Sequence, residues 1–179
     1  KAQDFGEGQY PVYVQSGNFL VDTTGVVDLR GDYSAHYFEL WAVFGSAPTI
    51  YNKGRIDTSG LDEIVDSQSL TDSARMNLTA KSTISNSGKL WAKGSSSADQ
   101  NRAGSNVFVH TLKGSLFNSG EIDVSGKSGN GGSNAGSIFL LNGDSYPDVG
   151  PGGHPVLDDP AVYGPGSFAG TGNLIAAGA

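Results

Sequence analysis

A block bounded by two glycines six positions apart recurs along the 179-residue chain, and its constant length limits the available folds more than any other feature. Four copies align by eye: 20–31 (LVDTTGVVDLRG), 49–60 (TIYNKGRIDTSG), 83–94 (TISNSGKLWAKG) and 115–126 (SLFNSGEIDVSG). A weaker fifth copy follows at 167–178 (SFAGTGNLIAAG). The first anchors are Gly25, Gly54, Gly88, Gly120 and Gly172; the second are Gly31, Gly60, Gly94, Gly126 and Gly178. The separation between copies varies while the block does not, which describes structural coils carrying loop insertions.

Within the block, apolar residues fall on alternate positions. Four before the first anchor stand Val21, Ile50, Ile84, Leu116 and Phe168; two after it stand Val27, Ile56, Leu90, Ile122 and Leu174. The residues between are mostly polar or charged, such as Arg55, Lys89, Glu121 and Asn173. A period of two marks short strands with one buried face. The anchor glycine between two such strands supplies either a positive φ or a close backbone approach at a corner. Two residues before it, Asn52, Asn86 and Asn118 recur in three consecutive copies. Coils stacked about 4.8 Å apart can pass side-chain amide hydrogen bonds from one to the next, so an Asn ladder is expected there.

A further apolar run precedes each copy, at 12–14, 37–44, 76–80, 107–112 and 138–141, giving each coil three strands. The 27 glycines, about twice the usual share, fit a turn-rich β chain, and no Gly-X-Y period points to collagen. Only 61–78 has room for a short helix. The predicted fold is all-β, a right-handed parallel β-helix of about five coils, roughly 24 Å long. Its expected organisation is an N-terminal cap or arm with the first strand at 1–14, regular coils at 15–143, a long Gly/Pro/Asp-rich loop at 144–166 and a final coil with an open edge at 167–179. Insertions at 32–36, 61–74, 95–106, 127–136 and 144–166 are expected to emerge from one edge of the solenoid.

The phrases SLFNSGEIDVSGKSGNGGSNAGSIFLLNG and TISNSGKLWAKG resemble the repeats of filamentous-haemagglutinin-like large exoproteins and autotransporter passengers. The likeness is best over 115–143 and fair over 49–94. It implies an exported, surface-associated β-solenoid serving as a fibre shaft or in adhesion, and such repeats identify architecture rather than ligand.

Composition narrows the function classes. A formal net charge of −7 without any run of Lys or Arg argues against nucleic acid as a partner. No cysteine is present, which removes disulfides and thiolate metal sites. The longest apolar runs are too short to span a membrane as a helix. The first residue is Lys1, which suits a processed or excised segment.

Candidate chemistry is sparse. Asp144, Asp148, Asp158 and Asp159 crowd the long loop, and calcium is the cofactor that clustered carboxylates would take. No EF-hand loop or Gly-Gly-x-Gly-x-Asp repeat is present. Asp28 and Asp57 share an outward column, as stacked acids do in pectate-lyase-like β-helices, but the column continues as Trp91, Asp123 and Ile175 and the pattern fixes no Arg or Lys beside it. His36, His110 and His154 share no ligand spacing, and Ser145 lies outside any Gly-x-Ser-x-Gly elbow. Tyr37, Phe38, Trp41, Phe44 and Tyr51 concentrate aromatic surface that could stack on sugars, with two or three of them exposed. Arg30, Gly31 and Asp32 spell an attachment tripeptide whose glycine the corner already requires, and Asn77 heads a glycosylation triplet inside a strand.

No catalytic residue is assigned and no enzyme activity is expected. The function expected from sequence is an extracellular or cell-surface structural and adhesive solenoid. Its partners would be further copies stacked head to tail through Leu174, Ile175 and Ala176, neighbouring coils of a longer chain, or a glycan or host surface. The alternative is a carbohydrate-binding or polysaccharide-lyase-like β-helix with an acidic, calcium-dependent groove.

Overall fold

The computed structural model describes residues 12–30, 37–60, 73–95, 103–127, 133–143 and 167–178. Fifteen strands repeat a three-strand unit five times. The first coil holds β1 (Val12–Ser16), β2 (Phe19–Val21) and β3 (Val26–Asp28); the second β4 (Tyr37–Ala42), β5 (Thr49–Asn52) and β6 (Arg55–Asp57). The third holds β7 (Arg75–Ala80), β8 (Thr83–Asn86) and β9 (Lys89–Trp91), the fourth β10 (Val107–Thr111), β11 (Ser115–Asn118) and β12 (Glu121–Asp123). The fifth is β13 (Ile138–Asn142), β14 (Ser167–Gly170) and β15 (Asn173–Ile175). Each position in the unit forms its own five-stranded sheet: β1-β4-β7-β10-β13 (sheet A), β2-β5-β8-β11-β14 (sheet B) and β3-β6-β9-β12-β15 (sheet C). All pairings are parallel, so the chain is a parallel β-helix of five coils.

The core is a set of stacked columns. Sheet A sends in Phe38, Met76 and Val107, then Leu40, Leu78 and Val109; sheet B sends in Ile50, Ile84 and Leu116; sheet C sends in Ile56, Leu90 and Ile122. All are at most 2% exposed, and each such side chain contributes about 1.5–3 kcal/mol by leaving water. Towards either end the same columns lose cover: Val12, Val14, Phe19 and Val27 in the first coil, and Ile138 and Leu140 in the fifth, are only partly buried.

Two sequence expectations are corrected. In the first block it is Phe19, not Val21, that pairs with Ile50, and Val21 pairs with Asn52. Two extra residues form a turn there, closed by the Gly25 amide donating to the Asp22 carbonyl at 2.8 Å, and the chain rejoins the common register at Val26 opposite Arg55. Second, the insertions do not share one edge: the first four join sheet C to sheet A, whereas 144–166 joins β13 of sheet A to β14 of sheet B. The stretch 61–78 read as having room for a short helix ends in strand β7, and its residues 61–72 lie outside those described.

Candidate functional site

The anchor glycines form one corner column, and close approach is what requires them. A Cβ on Gly54, Gly88, Gly120 or Gly172 would strike the carbonyl oxygen of the anchor one coil below. That same carbonyl accepts the next ladder bond, as where Lys89 donates to Gly54 at 2.8 Å and Glu121 to Gly88 at 2.8 Å. Positive φ, the other reason offered by sequence, is found at Gly45 and Gly143 instead. Beside this column the predicted amide ladder is present. Asn52 Nδ2 donates to Asn86 Oδ1 at 2.7 Å and Asn86 Nδ2 to Asn118 Oδ1 at 2.7 Å, all three buried. The three asparagines are the last residues of strands β5, β8 and β11. The ladder stops at Val21 below, leaving Asn52 Oδ1 without a donor, and at Gly170 above.

The outward column of sheet C is Asp28, Asp57, Trp91, Asp123 and Ile175, as the repeat predicts. Contrary to the sequence reading, its acids are fixed to cations. Arg30 clamps Asp28 with Nη2 to Oδ2 at 2.8 Å and Nε to Oδ1 at 2.9 Å, and its Nε lies 3.6 Å from Asp57 Oδ2. Arg55 approaches Asp57 from the other side at 3.7 Å, and Lys93 approaches Asp123 at 3.8 Å. The hydrogen bond from Arg30 holds the Asp28 carboxyl down to about 2. Each acid also accepts the amide two residues on, Asp28 from Arg30, Asp57 from Ser59 and Asp123 from Ser125, closing an Asx turn. Trp91 sits among Lys93, Lys89 and Arg55 at 3.5, 4.6 and 5.4 Å from its ring and donates to Glu121 Oε1 at 2.6 Å. These carboxylates are committed to turns and ion pairs, which leaves the column poorly suited to a calcium groove or acid/base chemistry.

The middle strands of sheet A bury side chains of both faces. Their outward positions include Glu39, Trp41, Asn77, Thr79, Phe108 and His110, all less than 9% exposed. Glu39 accepts from Asn77 Nδ2 at 3.1 Å and from Trp41 Nε1 at 3.3 Å. His110 Nε2 donates to the Gly143 carbonyl at 2.8 Å, and burial lowers the pKa of its imidazole. Phe108 stacks on Phe139 with centroids 4.4 Å apart. Sequence reasoning passed over this polar cluster because alternation assigns it to solvent.

Sheet B is the open face. Its outward column reads Leu20, Tyr51, Ser85, Phe117 and Ala169. Tyr51 is 41% and Phe117 43% exposed, two coils apart with Ser85 between them. Of the aromatic group read from sequence, Phe38 and Trp41 are buried while Phe44 and Tyr51 are exposed. Phe117 belongs with them and was legible from its repeat position.

Of the residues named for an interaction edge, Leu174 and Ala176 are exposed and Ile175 is half-buried on the last coil. Asp144, Asp148, Asp158 and Asp159, with His36, His154, Ser145, Gly31 and Asp32, lie outside the described residues. Among the described residues no three His, Asp or Glu side chains cluster as metal ligands, and no helix is long and apolar enough to cross a membrane. Comparison with family models, curated proteins and solved structures returned no match.

Proposed function

We propose that this chain is a non-enzymatic structural and adhesive solenoid working at a cell surface or outside the cell, where its coils extend a shaft or filament by stacking. One observation carries the reading: the core does not close at the fifth coil. Phe168 and Leu174 occupy inward columns whose members in the three middle coils are at most 2% exposed, yet they are 55% and 51% exposed. Strands β14 and β15 therefore offer apolar side chains together with a backbone edge, and such an edge is satisfied by a further parallel coil. That coil comes from a second copy or from a longer chain of the same repeat. Supporting it, the buried Asn ladder is spent on holding coil to coil.

Negative-stain electron microscopy and sedimentation of the purified chain test the proposal. Fibres, or concentration-dependent association abolished by Phe168→Asp with Leu174→Asp, support it. A monomer at all concentrations, whose apolar end also fails to pair with a supplied repeat carrying further coils, removes it.

A further inference from the structure

The coil winding gathers three lysines that are far apart in sequence. Lys81 and Lys113 follow β7 and β10 in the corner leading to sheet B, on adjacent coils, with the Lys113 amide donating to the Lys81 carbonyl at 3.1 Å. Lys53 lies at the opposite corner of sheet B, beside the anchor Gly54. Across the second to fourth coils, sheet B and both bordering corners (43–54, 81–88 and 112–120) contain these three lysines and no acidic residue, in a chain whose net charge is −7. None of the three forms an ion pair among the described residues, in contrast to Arg30, Arg55 and Lys93 on sheet C. Like charges on neighbouring strands repel, so Lys81 over Lys113 is a juxtaposition that an external anion relieves.

Between the lysine borders lie Tyr51 and Phe117, separated by two coil spacings, about 9.6 Å, with the short Ser85 leaving a notch between them. Strands β5, β8 and β11 (TIYN, TISN, SLFN) are themselves uncharged. A single anionic side chain would use neither the second ring nor the second border. An extended ligand running along the solenoid axis uses all of them, provided it presents flat apolar faces at intervals of about two coils and negative groups along its flanks.

We propose that the outer face of sheet B binds an anionic polysaccharide lying parallel to the coil axis, with sugar rings on Tyr51 and Phe117 and its carboxylate or sulfate groups on Lys53, Lys81 and Lys113. This deepens the adhesive reading above and rests on it for the setting in which such a chain is met. The overall acidity of the protein does not oppose it, because screening confines fixed charge to about 8–10 Å at ordinary ionic strength, and 43–54, 81–88 and 112–120 themselves carry no acid.

The test is retention of the intact chain on polygalacturonate, on heparin and on an uncharged β-glucan, each across a salt gradient. Binding to at least one anionic polymer, weakened by salt and by at least about tenfold in K53Q/K81Q/K113Q, is the expected result. Y51A/F117A should weaken it to a similar degree, and S85F/F117S, which keeps two rings but halves their spacing, should not rescue it. The polymer that binds identifies carboxylate or sulfate as the recognised group. Equal retention on the uncharged glucan, no retention on either anionic polymer, or an unaffected triple-lysine variant overturns the proposal. All of these residues are away from the last coil, so fibre formation by the same variants reports separately on the stacking reading.

Discussion

Asn86 accepts the amide of Asn52 and passes its own amide to Asn118, both at 2.7 Å, so one side chain serves two coil interfaces. Replacing it by Leu strands a donor on one side and an acceptor on the other in a buried corner. The expected loss is about 2–4 kcal/mol of unfolding free energy, read by urea denaturation. Asn52→Leu should cost less than half as much, because the Oδ1 of Asn52 already faces Val21 and has no donor.

The anchor glycines make a second graded pair. Gly88→Ala drives a methyl group into the Gly54 carbonyl, which is backbone held by the ladder and unable to move aside. A loss above about 3 kcal/mol, or failure to fold, is expected. At Gly25 the three nearest atoms an added methyl meets belong to its own turn, the closest being Val21 Cγ1 at 3.0 Å, in contrast to the backbone carbonyl at Gly88. Gly25→Ala should therefore fold, with a loss of about 1 kcal/mol by the same titration.

Acid should weaken the fold through His110 before it does so through Asp28. Burial lowers the pKa of this imidazole below its ordinary 6.5, so the unfolded chain binds the proton more readily than the folded one. The stabilisation is complete above pH 6.5 and declines as the pH falls through that value towards the lower folded pKa. Asp28 acts in a separate window: its contribution is full above 3.8 and is lost towards about 2. Urea midpoints measured from pH 8 to pH 5 should fall for the native chain and fall less for His110→Gln. A native midpoint independent of pH over that range would dismiss the assignment.

At the last coil the expectation is inverted. Phe168 and Leu174 are already half in water, so Phe168→Asp with Leu174→Asp should leave the melting temperature of the isolated chain within about 2–4 °C. Association, followed by light scattering, should disappear. A large loss of thermal stability would show that these side chains hold their own coil rather than the next one.

The solenoid was legible because its repeat carries a fixed glycine spacing, and stacked backbones impose that spacing on every coil. The Asn corner followed from the same alignment, as did the outward column through Asp57 and Trp91. What escaped was whatever the repeat does not encode. The first corner accommodates two extra residues without losing the six-residue interval between glycines, so Val21 looked equivalent to Ile50. The burial of Glu39 and His110 was not legible, because alternation reports the side of a strand, not whether that side is covered. Arg55 and Asp57 stand two residues apart on one strand, which places them on the same face, and their pairing was available from that rule. Lys53, Lys81 and Lys113 form no run in sequence and meet only through the winding.

The amide ladder also has a direction. Asn52 and Asn86 each give a proton to the coil that follows in sequence, and Val21 ends the ladder on one side while Gly170 ends it on the other. The two extremities of the solenoid are thus chemically unlike, as are the plus and minus ends of a polar polymer. Subunits joining one extremity encounter a different surface from those joining the other, so any fibre built from such coils has unequal growth rates at its tips and an orientation that a bound molecule can read.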